Sequence, residues 1–216
     1  MAAKKSAGKK AASKSVPSGT VLGRILDAAL ADAAAVGWRD VSLETVAEVA
    51  GLSLGEVVLL VPNKVCLLRG LLDRIDARTL LPIKTLDPEE TPRDRLFEIL
   101  MRRFDAMNES RDAYKAVITG VARDPVAAVA SAGRLERSFI AMLAGAGIST
   151  SGLNGVLYVQ GLKATAAYTL RAWMSDDTSD LAKTMAALDR ALNRAEKAAG
   201  MMTFRRREKA EEATDQ

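Results

Sequence analysis

The sequence predicts an all-α chain in two parts: an N-terminal three-helix unit with a helix-turn-helix, then a larger helical domain, about nine helices in total. Three observations predict it. Apolar residues recur at helical spacing along most of the 216 residues, with no convincing alternating strand pattern. Aromatics make up 4% against 49% apolar residues in all, so the core is built from Ala, Leu, Val and Met, which favours helices over sheets. Ser, Thr, Asn or Asp heads most of the periodic segments, and Gly or Pro closes many of them.

Each element follows from such signals. Val21, Leu22, Ile25, Leu26, Ala29 and Leu30 share a helical face, and Gly37 ends the run at a left-handed cap. Ser42 opens a short helix with Val46, Ala47 and Val49 inward, stopped by Gly51. Ser53 with Glu56 three residues on is a capping box, and Pro62 limits the helix behind it to about two turns. Asn63 caps a fourth helix, with Leu67, Leu68, Leu71 and Ile75 in its stripe, running to about Leu80. After a loop, Thr91-Pro92 is a helix start with Leu96, Leu100, Phe104 and Met107 on one face. Ser110, Asp124, Ser151 and Thr178 are cap candidates for helices over 111–122, 125–146, 152–174 and 179–198. The last carries Leu181, Met185, Leu188 and Leu192 as an amphipathic stripe. The expected parts are therefore a basic tail over 1–18, a helix-turn-helix unit over 19–80, a helical body over 81–200 and a flexible charged end over 201–216.

Charge is uneven. Lys4, Lys5, Lys9, Lys10 and Lys14 stand in the first eighteen residues with no acid, whereas the remainder holds 26 basic and 27 acidic residues. Ala, Ser, Gly and Lys dominate the tail, a composition that predicts disorder. Such an arm binds phosphate backbones by counterion release. A solubilising tail fits the composition nearly as well.

Several chemistries are excluded. Histidine is absent and Cys66 is the single cysteine. Imidazole-dependent hydrolysis, disulfides and thiolate metal clusters are thereby removed. Cys66 reads as a small buried hydrophobe, and the acids Asp176, Asp177 and Asp180 as favourable charges near a helix start. No enzyme, cofactor or metal site is expected. The apolar runs are far short of the ~20 residues a membrane span needs, and a location in the bacterial cytoplasm is expected.

Ile25-Leu26-Asp27-Ala28-Ala29, Gly37-Trp38, Ser42-Leu43-Glu44-Thr45-Val46-Ala47, Ala50-Gly51-Leu52-Ser53, Gly55 and Pro62-Asn63-Lys64 together resemble the N-terminal domain of TetR-family regulators. Residues 92–97, 173–178 and 184–190 look like a bacterial subgroup of that family. The last stretch is also similar to the lipid-binding protein of coenzyme-Q biosynthesis. The resemblance implies a DNA-binding transcriptional repressor that binds an operator as a homodimer and is controlled by a small effector. A lipid-binding accessory protein with a relic helix-turn-helix is the alternative.

The resemblance implies roles for particular residues. Ser42, Thr45, Ser53, Leu54, Glu56, Val58 and Lys64, with the five tail lysines, are the expected contacts to double-stranded DNA. Phe104, Met107, Tyr114, Phe139, Met142, Leu157, Gln160, Lys163 and Tyr168 are the expected walls of a pocket for a small apolar or lipid-like effector. Gly161, Ala164, Leu181, Met185, Leu188 and Leu192 are the expected dimer seam, with Gly155 among the small residues that would let helices approach closely. One departure stands out. No residue from Leu54 to Val61 can donate a side-chain hydrogen bond, and Glu56 would bring a negative charge to a polyanion. Either the tail lysines supply affinity while apolar groups touch thymine methyls, or the surface serves protein or lipid contacts. The first account is the leading expectation.

Overall fold

A computed structural model describes residues 19–83, 87 and 89–212, with side chains described up to residue 198. The expected tail over 1–18 and the last residues, 213–216, lie outside the described residues. Among the described residues there are nine α-helices and no strand.

The first four are α1 (Val21–Val36), α2 (Leu43–Ala50), α3 (Leu54–Leu60) and α4 (Lys64–Leu80). Each begins on a side chain that accepts a hydrogen bond from an otherwise unpaired backbone amide: Thr20 from Gly23, Ser42 from Thr45, Ser53 from Glu56 and Asn63 from Cys66. Gly51 ends α2 at φ 63°, a left-handed position that costs glycine nothing. The larger part holds α5 (Pro92–Asn108), α6 (Arg111–Ala122), α7 (Pro125–Gly145), α8 (Gly152–Ser175) and α9 (Ala182–Glu212). Thr91 and Asp124 cap α5 and α7 with proline in the first turn, whereas Ser110 and Ser151 stand at the heads of α6 and α8 without a capping side-chain bond.

α9 differs most from expectation. It starts at Ala182, not at residue 179, because the Asp176 carboxylate draws the preceding segment into a loop. It accepts from Thr178 N and Oγ1 at 3.1 and 2.6 Å and from Thr184 N and Oγ1, both at 2.7 Å. The loop holds Leu181 at φ 55°, a conformation costing a branched residue about 1–2 kcal/mol. Burial of the Leu181 side chain and the four bonds to Asp176 offset that cost. α9 also continues past Gly200 to Glu212. A single interior glycine costs about 1 kcal/mol, and the Met, Arg, Lys and Glu residues beyond it are good helix formers.

The buried residues form one continuous cluster from Ile25 through Leu67 and Leu100 to Leu192. α1 lies against both α2 and α6, and α4 against both α5 and α7, so the N-terminal unit has no separate core. A buried polar group fastens α4 to the body: Asp76 pairs with Arg103 of α5 and Arg134 of α7, and the Ser138 hydroxyl donates to it. α8 and α9 pack along each other at the far side.

Candidate nucleic-acid interface and effector body

The turn between α2 and α3 is Gly51-Leu52-Ser53, and three sets of bonds fix it. In the first, Ser42 and Thr45 cap each other, and the Thr45 hydroxyl also donates to Asp32 of α1 at 2.6 Å. In the second, Ser53 N and Oγ both donate to the Glu56 carboxylate, at 2.9 and 2.8 Å. The Ser53 backbone N–H and then its hydroxyl hold the Glu56 carboxyl below its ordinary range. The third was not foreseen: Arg24 of α1 donates from Nη2 to Ala50 O at 2.6 Å and reaches Gly51 O at 3.4 Å. Arg24 thereby satisfies the last carbonyl of α2, reaches that of its cap Gly51, and ties the start of α1 to the turn. Its only sequence signal is that it is the sole cation of α1.

α3 is seated by Val57 and Val61, both fully shielded. Its outer side is left bare: Leu54, Val58 and Leu60 are exposed, and Leu59 stands 87% exposed. A ridge of helix therefore remains outside, made almost entirely of aliphatic tips.

The expected DNA contacts divide into three groups. Leu54 and Val58 face outward on this ridge. Ser42, Thr45, Ser53 and Glu56 are all engaged in the capping network, so their hydroxyls and one Glu56 carboxylate oxygen already serve the fold. Lys64 is half-buried, its Nζ donating to Arg39 O at 2.9 Å and lying 5.1 Å from the centre of the Trp38 ring. Burial lowers its pKa below the usual lysine value, against the pull of Asp40, Asp124 and Asp32. The exposed cation beside it is the Arg39 side chain, which sequence reasoning passed over. Lys4, Lys5, Lys9, Lys10 and Lys14 lie outside the described residues.

The expected effector walls fall into two sets. Phe104, Met107, Tyr114, Phe139 and Met142 are buried in the body. Phe104 stacks obliquely on Trp173 at 6.4 Å, and burial raises the Tyr114 pKa although Arg74, Arg78 and Arg103 act the other way. Leu157, Gln160 and Tyr168 instead face out of α8, and Lys163 pairs with Glu136 of α7 at 2.9 Å. None of the nine lines either of two open clefts on the surface. The first, about 380 Å³, lies between α6 and the α8–α9 loop, where Arg111 covers the Trp173 ring at 4.8 Å and donates to the carbonyls of Trp173 and Asp176. The second lies between α4 and α7, about 520 Å³, beside Arg134, Asp73 and Asp76. Among the described residues, the interior donors Arg74 Nη1 and Trp173 Nε1 are buried without a hydrogen-bond partner.

The expected seam also divides. Leu181, Leu188 and Leu192 are buried within the protomer, under α8 and α5. Gly161, open to space, lies with exposed Ala164 and Met185 on the outside, where Leu153 and Val156 extend an apolar surface. Gly155 serves a local purpose, because a Cβ there would stand 2.0 Å from the Thr150 carbonyl. No helix among the described residues is long and apolar enough to cross a membrane, and no group of three or more potential metal ligands occurs among them.

Four N-terminal helices with a helix-turn-helix, and the five helices behind them, make up the TetR-like all-α fold. No protein-family profile matches the sequence, and no curated protein sequence does either. Solved structures do match. A TetR transcriptional regulator from Nitrosomonas europaea superposes with a TM-score of 0.68 at 22% identity, over 82% of this chain and 98% of that one. A TetR regulator from Rhodococcus sp. gives 0.62 at 22% identity, over 81% and 94%. One from Streptomyces coelicolor gives 0.58 at 14%, over 84% and 82%. At these identities the likeness concerns the fold. The coenzyme-Q resemblance of residues 184–190 finds no support in these matches.

Proposed function

We propose that this chain is a TetR-like, DNA-binding transcriptional repressor that acts as a homodimer under the control of a small apolar effector. The observation that carries the reading is the ridge of α3. A helix-turn-helix is locked by capping and by Arg24, yet the outer side of its second helix is left uncovered. That is what a helix needs if it is to enter a major groove. The α8–α9 face with Gly161, Ala164 and Met185 supports pairing of two copies, which would present two such ridges to one duplex. An effector held among Phe104, Met107, Tyr114 and Met142, with an acceptor group for the orphan donors Arg74 Nη1 or Trp173 Nε1, would shift the separation of the paired heads.

One observation favours a different reading. Residues 19–80 hold six basic and eight acidic side chains, and α3 offers no cationic or hydrogen-bond-donating side chain, so the folded head alone has little attraction for a polyanion. A lipid-binding accessory protein that no longer reads DNA fits that balance. A gel-shift against the DNA upstream of the protein's own gene, across a salt series, separates the two. The repressor reading expects sequence-selective binding that survives removal of residues 1–18 at reduced strength. Binding that is unselective and vanishes with those residues supports the accessory protein.

A further inference from the structure

Building on the DNA-binding reading, we infer that α3 recognises duplex through the C5-methyl groups of thymine, with Leu54, Val58 and Leu59 as the reading side chains. In the major groove, base pairs differ in their donors, their acceptors and the thymine methyl. Donor readout is closed to α3, and its single acceptor side chain would bring a negative charge to a polyanion. Its one ionised group, Glu56, is bound by Ser53 N and Oγ, and Ser53 Oγ is committed in the same contact. The exposed remainder is aliphatic. Leu54 and Val58 stand four apart, as do Gly55 and Leu59, giving two neighbouring rows on the outer side. A Cβ on Gly55 would meet only Ser53 Oγ, at 4.0 Å, so the second row begins on bare backbone that can approach base edges closely.

Charge and chain path point to duplex as the occupant of this apolar ridge. The folded head is slightly acidic, but the eighteen residues before Gly19 carry five lysines and no acid. They precede Gly19 and Thr20, the cap of α1, and Arg24 bonds that first stretch of α1 to the Ala50 and Gly51 carbonyls at the end of α2, in the turn before α3. The described chain that follows this segment is therefore held, through Arg24, to the turn that leads into α3. Phosphate attraction and base contact are divided between neighbouring parts: lysines supply affinity without sequence information, and aliphatic tips supply selection.

The test uses the full chain. Duplexes are selected from a randomised pool at low salt, then resynthesised with deoxyuridine for thymidine, which leaves every hydrogen-bonding edge and removes only the methyl. Binding to the selected duplex should weaken roughly fourfold for each contacted methyl lost. In Leu59→Ala, whose side chain makes little contact with the fold, the ratio between the thymidine and deoxyuridine duplexes should move towards one, with helical content unchanged. Equal binding of both duplexes by the unaltered chain overturns methyl readout while leaving DNA binding intact. A ratio unchanged in both Leu59→Ala and Leu54→Ala overturns the assignment to α3. Failure to retain any duplex at any salt overturns the repressor reading itself.

Discussion

Gly120 of α6 lies so close to Trp38, in the turn between α1 and α2, that a Cβ on the glycine would stand 2.7 Å from the Trp38 Cβ and 3.0 Å from its Cδ1. The bare helix surface admits the indole, and the indole joins the N-terminal head to the body. Gly120→Ala should therefore destabilise the protein, by about 1–3 kcal/mol, through overpacking. Gly133, in α7, meets nothing within 4 Å, so Gly133→Ala should stabilise by about 0.5–1 kcal/mol through helix propensity alone. Urea unfolding of both variants checks the opposite signs.

The Asp76 group tests how α4 is held. Arg103 is buried beside it, and Ser138 has its hydroxyl on the same carboxylate. Asp76→Ala leaves the guanidinium without its partner and should cost about 3–5 kcal/mol. Asp76→Leu combined with Arg103→Met removes the two most buried charges, leaves Arg134 paired with Asp73, and should cost less than the single change. Equal losses in the two unfolding curves would contradict the pairing.

Acid should act through Asp176. Burial opposes its ionisation, but the hydroxyls and amides of Thr178 and Thr184 outweigh burial and hold the carboxyl well below the carboxylate range. The unfolded chain then binds the proton more readily, so this contribution is full above about pH 4 and is lost as pH falls below it. Asp176→Asn should flatten stability against pH in that acidic window and cost about 2 kcal/mol at neutral pH. Thermal unfolding across a pH series measures both.

Pairing through α8 and α9 predicts that a charge on their outer face is felt in solution mass and not in folding. Leu157 and Met185 are exposed, so Leu157→Glu or Met185→Glu should leave the thermal midpoint of a dilute sample nearly unchanged. Sedimentation should show a shift from dimer towards monomer. Variants that sediment like the parent would remove this face from the assembly.

Local chemistry made most of the fold legible. Ser42, Ser53, Asn63, Thr91 and Asp124 announced their helices because a short polar side chain has a specific task at a helix start. The start of α9 is not legible, because Thr178 looks like a cap in sequence, whereas the carboxylate that organises the segment, Asp176, also reaches forward to Thr184. The site was harder for a related reason. Whether Leu157 or Met142 points inward depends on which neighbouring helix covers each turn, and periodicity supplies a face without its partner. Lys64 and Ser53 carried the chemistry of phosphate contacts, but Arg39 O and Glu56 had already engaged them. Arg24 escaped notice because its acceptors, the carbonyls of Ala50 and Gly51, are backbone atoms that every residue type provides.

The unbroken cluster running from Ile25 to Leu192 makes the N-terminal helix-turn-helix unit a poor candidate for transplantation. Severing the chain after Leu80 would strip α1 of α6 and α4 of α5 and α7, leaving two sticky remnants in place of two usable modules. Chimeras with a foreign C-terminal half would need grafted counterparts of Gly120, Arg103 and Arg134 before the borrowed unit could stand.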